Sequence, residues 1–369
     1  DRRKLLENTK DIFGQDAWRM VEKLLSTTTL EVRYLNAKAE PFTTNVGSPQ
    51  GDALSPILFT VYLELALREL RVKIPRPSCD KGLPPEISYA DDVDFISRSK
   101  EYTANIKANV SSTLAVWNLK VNEDKTKPET IERNNERNNE TWRDSKKLGS
   151  LLGDSEDMKR RIQLATTAFA KLKELWTRKN IVGERKKLRI YNASVKPVLT
   201  YNICTWALTE CELLKLYAFH RRQLRVLLDI RYPDIIHNKD LYKRTDSIPI
   251  SDELFKSRWR MLGHVLRMNN DVPAKQAMIY YFRDEQSANS FVGRPRTTLP
   301  IAIDKDLRNI KTAAKKPGRK KNTIKSLPER LDSINALQTL ETMAQGRKTW
   351  MSMIEDAYAL LQSQREKTQ

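Results

Sequence analysis

The alternation of apolar and polar positions divides the chain into a mixed first third and a helical remainder. DAWRMVEKLLS predicts a helix, TTLEVRYLNAKAEPFTTNV a hairpin, and SPILFTVYLELALREL a helix opened by Ser55 and Pro56 at its cap and first-turn positions. A Pro-rich loop, IPRPSCDKGLPP, leads into EISYADDVDFI, strand formers interrupted by Ala90, Asp91 and Asp92. Asp is depleted in strands and favoured in turns, so this stretch predicts a half-buried hairpin with both carboxylates at its tip. A helix over roughly 102–119 precedes LKVNEDKTK, and ETIERNNERNNETWRDSKKLGSLLG predicts two strands around a polar turn.

From Asp154 the spacing becomes helical. Ile162, Ala165, Phe169, Leu172 and Trp176 form one stripe, and Leu188, Tyr191, Val195 and Val198 a second that Pro197 ends or kinks. Leu213, Tyr217, His220, Leu224 and Leu227 form a third, which assigns His220 to the core. Phe255, Trp259, Leu262 and Leu266 form a fourth, started by Ser251, Asp252 and Glu253. Periodicity weakens from about Asn270. VGRPRTTLP and KKPGRKKNTIK are expected as exposed basic loops, the second a nuclear address or a phosphate-binding patch, before a last helix carrying Trp350, Ile354, Ala357 and Leu361 on one face.

Composition narrows the class of partner. A chain of 369 residues is long enough for two or three domains, and its net charge of +19 points to a polyanion. The densest apolar stretch, PILFTVYLELALREL, contains Glu64 and is too short to span a bilayer, so nucleic acid is favoured over membrane. Lys159, Arg160, Arg161, Lys171 and Lys173 occupy the non-stripe faces of the first helix of the remainder, where one sign of charge predominates. Cys79, Cys204 and Cys211 have no CxxC spacing, which argues against a disulfide scaffold and a zinc finger and fits a reducing, intracellular compartment. The opening DRRKLLENTK is too charged for a signal peptide.

Adjacent Asp91 and Asp92 are the sharpest candidate chemistry. Two like charges so close repel, and a divalent cation relieves that cost; Mg²⁺ prefers such hard oxygen ligands. Upstream, NVGSPQGDALSPILFTVYLE offers Gly47 and Gly51 for close backbone approach and Gln50 as a bidentate amide ahead of a helix.

In this order, PQGDALSPILF, YADD, LKVNEDKTK and KKLGSLLG resemble successive palm motifs of reverse transcriptases, particularly those of non-LTR (LINE-type) retrotransposons. KKLRIYNASVKPVLTYNICTWALTE resembles their helical thumb, RWRMLGHVLRM the segment after it, and GRPRTTLP their basic C-terminal tail. The resemblance implies an α+β fold: a partial palm over 1–127, a primer-grip-like hairpin over 128–153, a helical thumb over 154–270 and a basic, mainly helical extension over 271–369. It implies that Asp91 and Asp92 are catalytic and hold metal, two Mg²⁺ ions in the complete enzyme with Mn²⁺ as an alternative. Tyr89 and Ala90 lie beside the primer end, Gln50 and Gly51 against template and nucleotide, Lys125 donates a proton to pyrophosphate, and Leu148, Gly149 and Ser150 grip the primer. The implied partners are an RNA template, a DNA primer and deoxynucleotides, with a genomic DNA target, in the nucleus or cytoplasm.

The same resemblance places a further catalytic Asp, followed five positions later by an aromatic sugar gate, ahead of residue 1. Asp1 corresponds to the residue after that motif. The chain is therefore expected to lack the third carboxylate and the fingers, to expose a sheet edge, and to polymerise poorly alone. Two other readings compete: a non-catalytic nucleic-acid-binding remnant of a retroelement protein, and an architectural DNA-binding protein in which YADD is only a turn.

Overall fold

The computed structural model describes residues 1–26, 28–35, 37–132, 140–177, 182–283, 297–314 and 322–368. They form two compact units, Asp1–Pro128 and Glu129–Gln369. The secondary structure is mostly helical with small antiparallel two-stranded sheets, an α+β composition.

The first unit begins with α1 (Arg2–Thr9) and α2 (Gln15–Ser26). The expected hairpin after them has two tiers: β1 (Thr29–Leu30) pairs with β4 (Phe42–Thr43), and β2 (Arg33–Tyr34) with β3 (Ala37–Lys38). Next come α3 (Ser55–Lys73), the hairpin β5 (Glu86–Tyr89) and β6 (Asp92–Phe95), and α4 (Lys100–Val116). Because α3 is apolar on two sides, it serves two core clusters. Leu58, Tyr62 and Ala66 pack with Leu5, Val21, Leu25 and Trp117, while Leu63, Leu67 and Leu70 pack with Tyr102, Ile106 and Val110. Ser55 is the first helical residue and not the cap. Its hydroxyl instead donates to the Pro49 carbonyl at 2.8 Å, tying the preceding loop to the helix.

In the second unit the segment ahead of Asp154 differs from the expected pair of strands around a polar turn. Residues 133–139 lie outside the described set, Thr141–Asp144 is a 3₁₀ turn, and the hairpin is the short β7 (Lys146–Lys147) and β8 (Ser150–Leu151). The reason is local: Leu148 and Gly149, both at positive φ, close a two-residue turn between Lys147 and Ser150. Then follow α5 (Asp154–Lys171), α6 (Lys173–Thr177), α7 (Glu184–Ser194), α8 (Lys196–Leu199), α9 (Glu210–Leu227), α10 (Asn238–Thr245) and α11 (Ile250–Leu266). The first stripe spans two helices, since the chain breaks at Leu172, and Pro197 sits in the first turn of α8 just beyond the break at Val195.

The last hundred residues are mainly helical, as expected. α12 (Pro273–Arg283), α13 (Leu299–Ala314), α14 (Asn322–Lys325), α15 (Ile334–Gln345) and α16 (Arg347–Thr368) build a core with α11. Ile303, Leu307, Leu340, Trp350 and Ile354 are fully buried there, together with Trp259 and Leu262 of α11. The other end of α11, Ile250 and Leu254, belongs to the core of α5 to α10, so one helix serves both clusters. Of the expected basic loops, residues 292–296 and 315–321 lie outside the described residues. No helix among the described residues is long and apolar enough to cross a membrane.

Candidate functional site

The register of β5 and β6 decides where the two carboxylates go. Tyr89 faces Asp92 and Ile87 faces Asp94, leaving Ala90 and Asp91 as a two-residue turn. Asp92 is therefore a strand residue, which corrects the expectation that the turn frees both side chains. Its direction follows from strand alternation. Val93 and Phe95 pack against the core of α3 and α4, so Asp92, Asp94, Ile87 and Tyr89 take the opposite, outward face. Accordingly Tyr89 is 67% exposed and Ile87 49%, and the hairpin is less buried than its apolar residues suggest. Ala90 has φ +53°, a left-handed conformation that costs a residue with a Cβ about 1 kcal/mol.

The base of this hairpin is held firmly. Arg71 of α3 donates to Glu86 from Nε at 3.0 Å and to Glu64 from both Nη atoms at 3.0 and 2.8 Å. Hydrogen bonds from Arg71 hold the Glu64 carboxyl below the usual range. Arg76 donates to the carbonyls of Leu83 and Pro84 at 2.6 and 2.9 Å, and the buried Asp80 carboxylate accepts from the Arg98 amide at 2.7 Å. None of these anchors stood out in the sequence, because each is a single charged residue on a helix or loop.

Gln50 and Gly51 lie on an exposed loop whose glycines, Gly47 and Gly51, have φ +76° and +95°. Nothing lies within 4 Å of where a Cβ would stand on either, so the left-handed backbone, not packing, calls for glycine. The loop is pinned by the buried Arg2, which donates to the carbonyls of Gly47 (2.7 Å), Leu25 (2.8 Å) and Thr44. Lys125 is exposed on a turn closed onto Asn122, its amide donating to the Asn122 carbonyl at 3.3 Å.

Leu148, Gly149 and Ser150 belong to the second unit, where helices hold them. Tyr201 donates to the Leu148 carbonyl at 2.8 Å, and Arg160 to that of Gly149 at 2.7 Å. Arg161 donates to the Gly149 carbonyl and, at 3.1 Å, to the Ser150 hydroxyl. The buried Asp157 accepts from the Leu151 amide at 2.9 Å and from the Trp206 indole at 3.1 Å. Spacing on α5 placed Arg160 and Arg161 off the core stripe, but nothing in the sequence linked them to the hairpin.

Asp91 and Asp92 supply hard oxygens on an open face, a donor set that suits a divalent cation retaining several waters. Among the described residues no group of three or more His, Cys, Asp or Glu side chains converges into a metal site. Asp94 shares the outward face without completing such a group.

No protein of curated function matches the chain. Residues 4–153, the stretch that contains Gln50, Gly51, the YADD hairpin, Lys125 and Leu148–Ser150, match the family model described as reverse transcriptase (RNA-dependent DNA polymerase).

Proposed function

We propose that the chain is the polymerase part of a reverse transcriptase of the non-LTR retrotransposon type, copying an RNA template from a DNA primer with deoxynucleotides. The observation that carries this reading is the outward-facing Asp91–Asp92 pair on an anchored hairpin, inside the stretch similar to reverse transcriptases. Asp91 and Asp92 would hold the cation, Mg²⁺ or Mn²⁺. When bound, such ions activate a hydroxyl and neutralise the leaving pyrophosphate. Tyr89 and Ala90 then stand beside the primer end, and Gln50 and Gly51 meet template and nucleotide on a loop fixed by Arg2 and Ser55. Lys125, exposed on its turn, would donate a proton to pyrophosphate. In this reading residues 1–127 are palm, 128–153 the primer grip and 154–270 a thumb holding duplex through its phosphates. The basic 271–369 region contributes to binding a genomic DNA target, which puts the work in the nucleus.

The lack of a third converging ligand among the described residues favours a second reading, a nucleic-acid-binding protein without catalysis. Primer extension on an RNA template with Mg²⁺ separates the two. Under the first, the full chain extends the primer slowly, and Asp91→Asn or Asp92→Asn abolishes that extension. Duplex binding without extension, unchanged in both variants, establishes the second. A chain that neither extends nor binds primed template overturns both.

A further inference from the structure

A polar frame surrounds the Leu148–Gly149 turn, and its donors lie beyond the stretch similar to reverse transcriptases. Leu148 has φ +47° and Gly149 +84°. For Leu this left-handed conformation is unfavourable by about 1 kcal/mol or more, and its side chain stays half exposed, at 51%. The turn keeps its shape because both of its carbonyls are tied down. Tyr201 takes that of Leu148, while Arg160 and Arg161 converge on that of Gly149. The guanidinium of Arg161 also sits 4.2 Å from the centre of the Tyr201 ring, so the two donors brace one another. Asp157 faces Arg161 at 3.6 Å and holds the first amide after Ser150, closing the frame.

We propose that Arg161 and Tyr201 are positioning residues that fix the Leu148–Gly149 tip so that the Leu148 side chain packs against the terminal nucleotide of a primer strand. The proposal rests on the polymerase reading and adds to it the residues that aim the tip. The geometry supports an aiming role over a purely structural one for a specific reason. Hydrogen bonds concentrated on the two turn carbonyls fix the direction of one apolar side chain that nevertheless stays half exposed.

The test compares the affinity of the full chain for two probes: a short RNA–DNA duplex with a recessed DNA 3′ end, and the same duplex with the end capped by a hairpin loop. Wild type is expected to prefer the recessed end. Tyr201→Phe removes one hydroxyl and keeps the ring, so it should reduce that preference by roughly fivefold, the equivalent of one hydrogen bond, with capped-duplex affinity unchanged. Leu148→Ala, which shortens the tip without touching the clamp, should do the same, and Arg161→Lys should retain part of the preference. Parallel weakening on both probes would mean that the clamp only supports the fold, and would overturn the proposal. So would an undiminished preference in Tyr201→Phe and Leu148→Ala. A wild-type chain that binds neither probe removes the polymerase reading itself, an outcome distinct from loss of end preference alone.

Discussion

His220 is fully buried, stacked on Tyr242 with the Tyr191 ring tilted against it, and neither ring nitrogen has a hydrogen-bond partner. Burial, with Lys196 and Arg221 adding positive charge nearby, pushes its pKa down to about 3. The sign of the consequence follows from linkage. Between the unfolded value near 6.5 and the folded value, the unfolded chain binds the extra proton, so stability falls as pH falls. From pH 7 to pH 5 this single group should cost about 2 kcal/mol. Urea midpoints at the two pH values check it: His220→Leu should lose clearly less than wild type over that interval, and equal losses would contradict the assignment. At pH 7 the substitution should be neutral or stabilising, because it removes an unsatisfied buried polar group.

At the scale of the element, the YADD hairpin is anchored at its base and open at its tip. Arg71 is the strut, joining α3 to β5 through Glu64 and the largely buried Glu86. Arg71→Met leaves the Glu86 carboxylate without its cation, while Glu64 keeps Arg68 and most of the apolar stem is preserved. The expected outcome is local: backbone amides of β5 and β6 exchange with solvent about tenfold faster or more, while those of α4 change little. Uniform acceleration across the first unit would show instead that Arg71 supports the whole core. Arg2 has the same relation to the Gln50–Gly51 loop, and in both cases one arginine supplies several donors in a fixed fork.

Across the molecule, what could be read from the sequence was what repeats. Helical stripes located the cores of α9, α11 and α16, and alternation located the hairpin of β5 and β6. The core role of His220 followed from its place in a stripe. Features that depend on one residue meeting another far along the chain were not legible. The C-terminal core is the clearest case: the indole of Trp350 donates to the Trp259 carbonyl at 2.9 Å and passes so close to Gly263 that a Cβ there would stand 2.2 Å from its nitrogen. Periodicity over 270–346 is broken into short helices, so no single window announces that they close over α11. The clamp on Leu148–Gly149 was hidden for the same reason, since Tyr201 stands 53 residues from the carbonyl it holds. Asp92 was misplaced for the opposite reason: one residue of register decides between turn and strand, and composition cannot resolve that step.

The YADD tip and the Leu148–Gly149 tip thus each carry a residue with a Cβ, Ala90 and Leu148, where glycine would sit without strain. The chain is consequently easy to stabilise at the very places where it would be blunted. Ala90→Gly should raise the thermal midpoint of the first unit by a few degrees, or leave it unchanged if glycine's gain in unfolded-state entropy offsets the relief. In either case the tip gains freedom, and the divalent-cation affinity proposed for Asp91 and Asp92 should weaken; a tighter site would mean that the strain serves no purpose. Selecting variants of this protein for heat resistance alone would therefore drift toward a sturdier and less exact molecule.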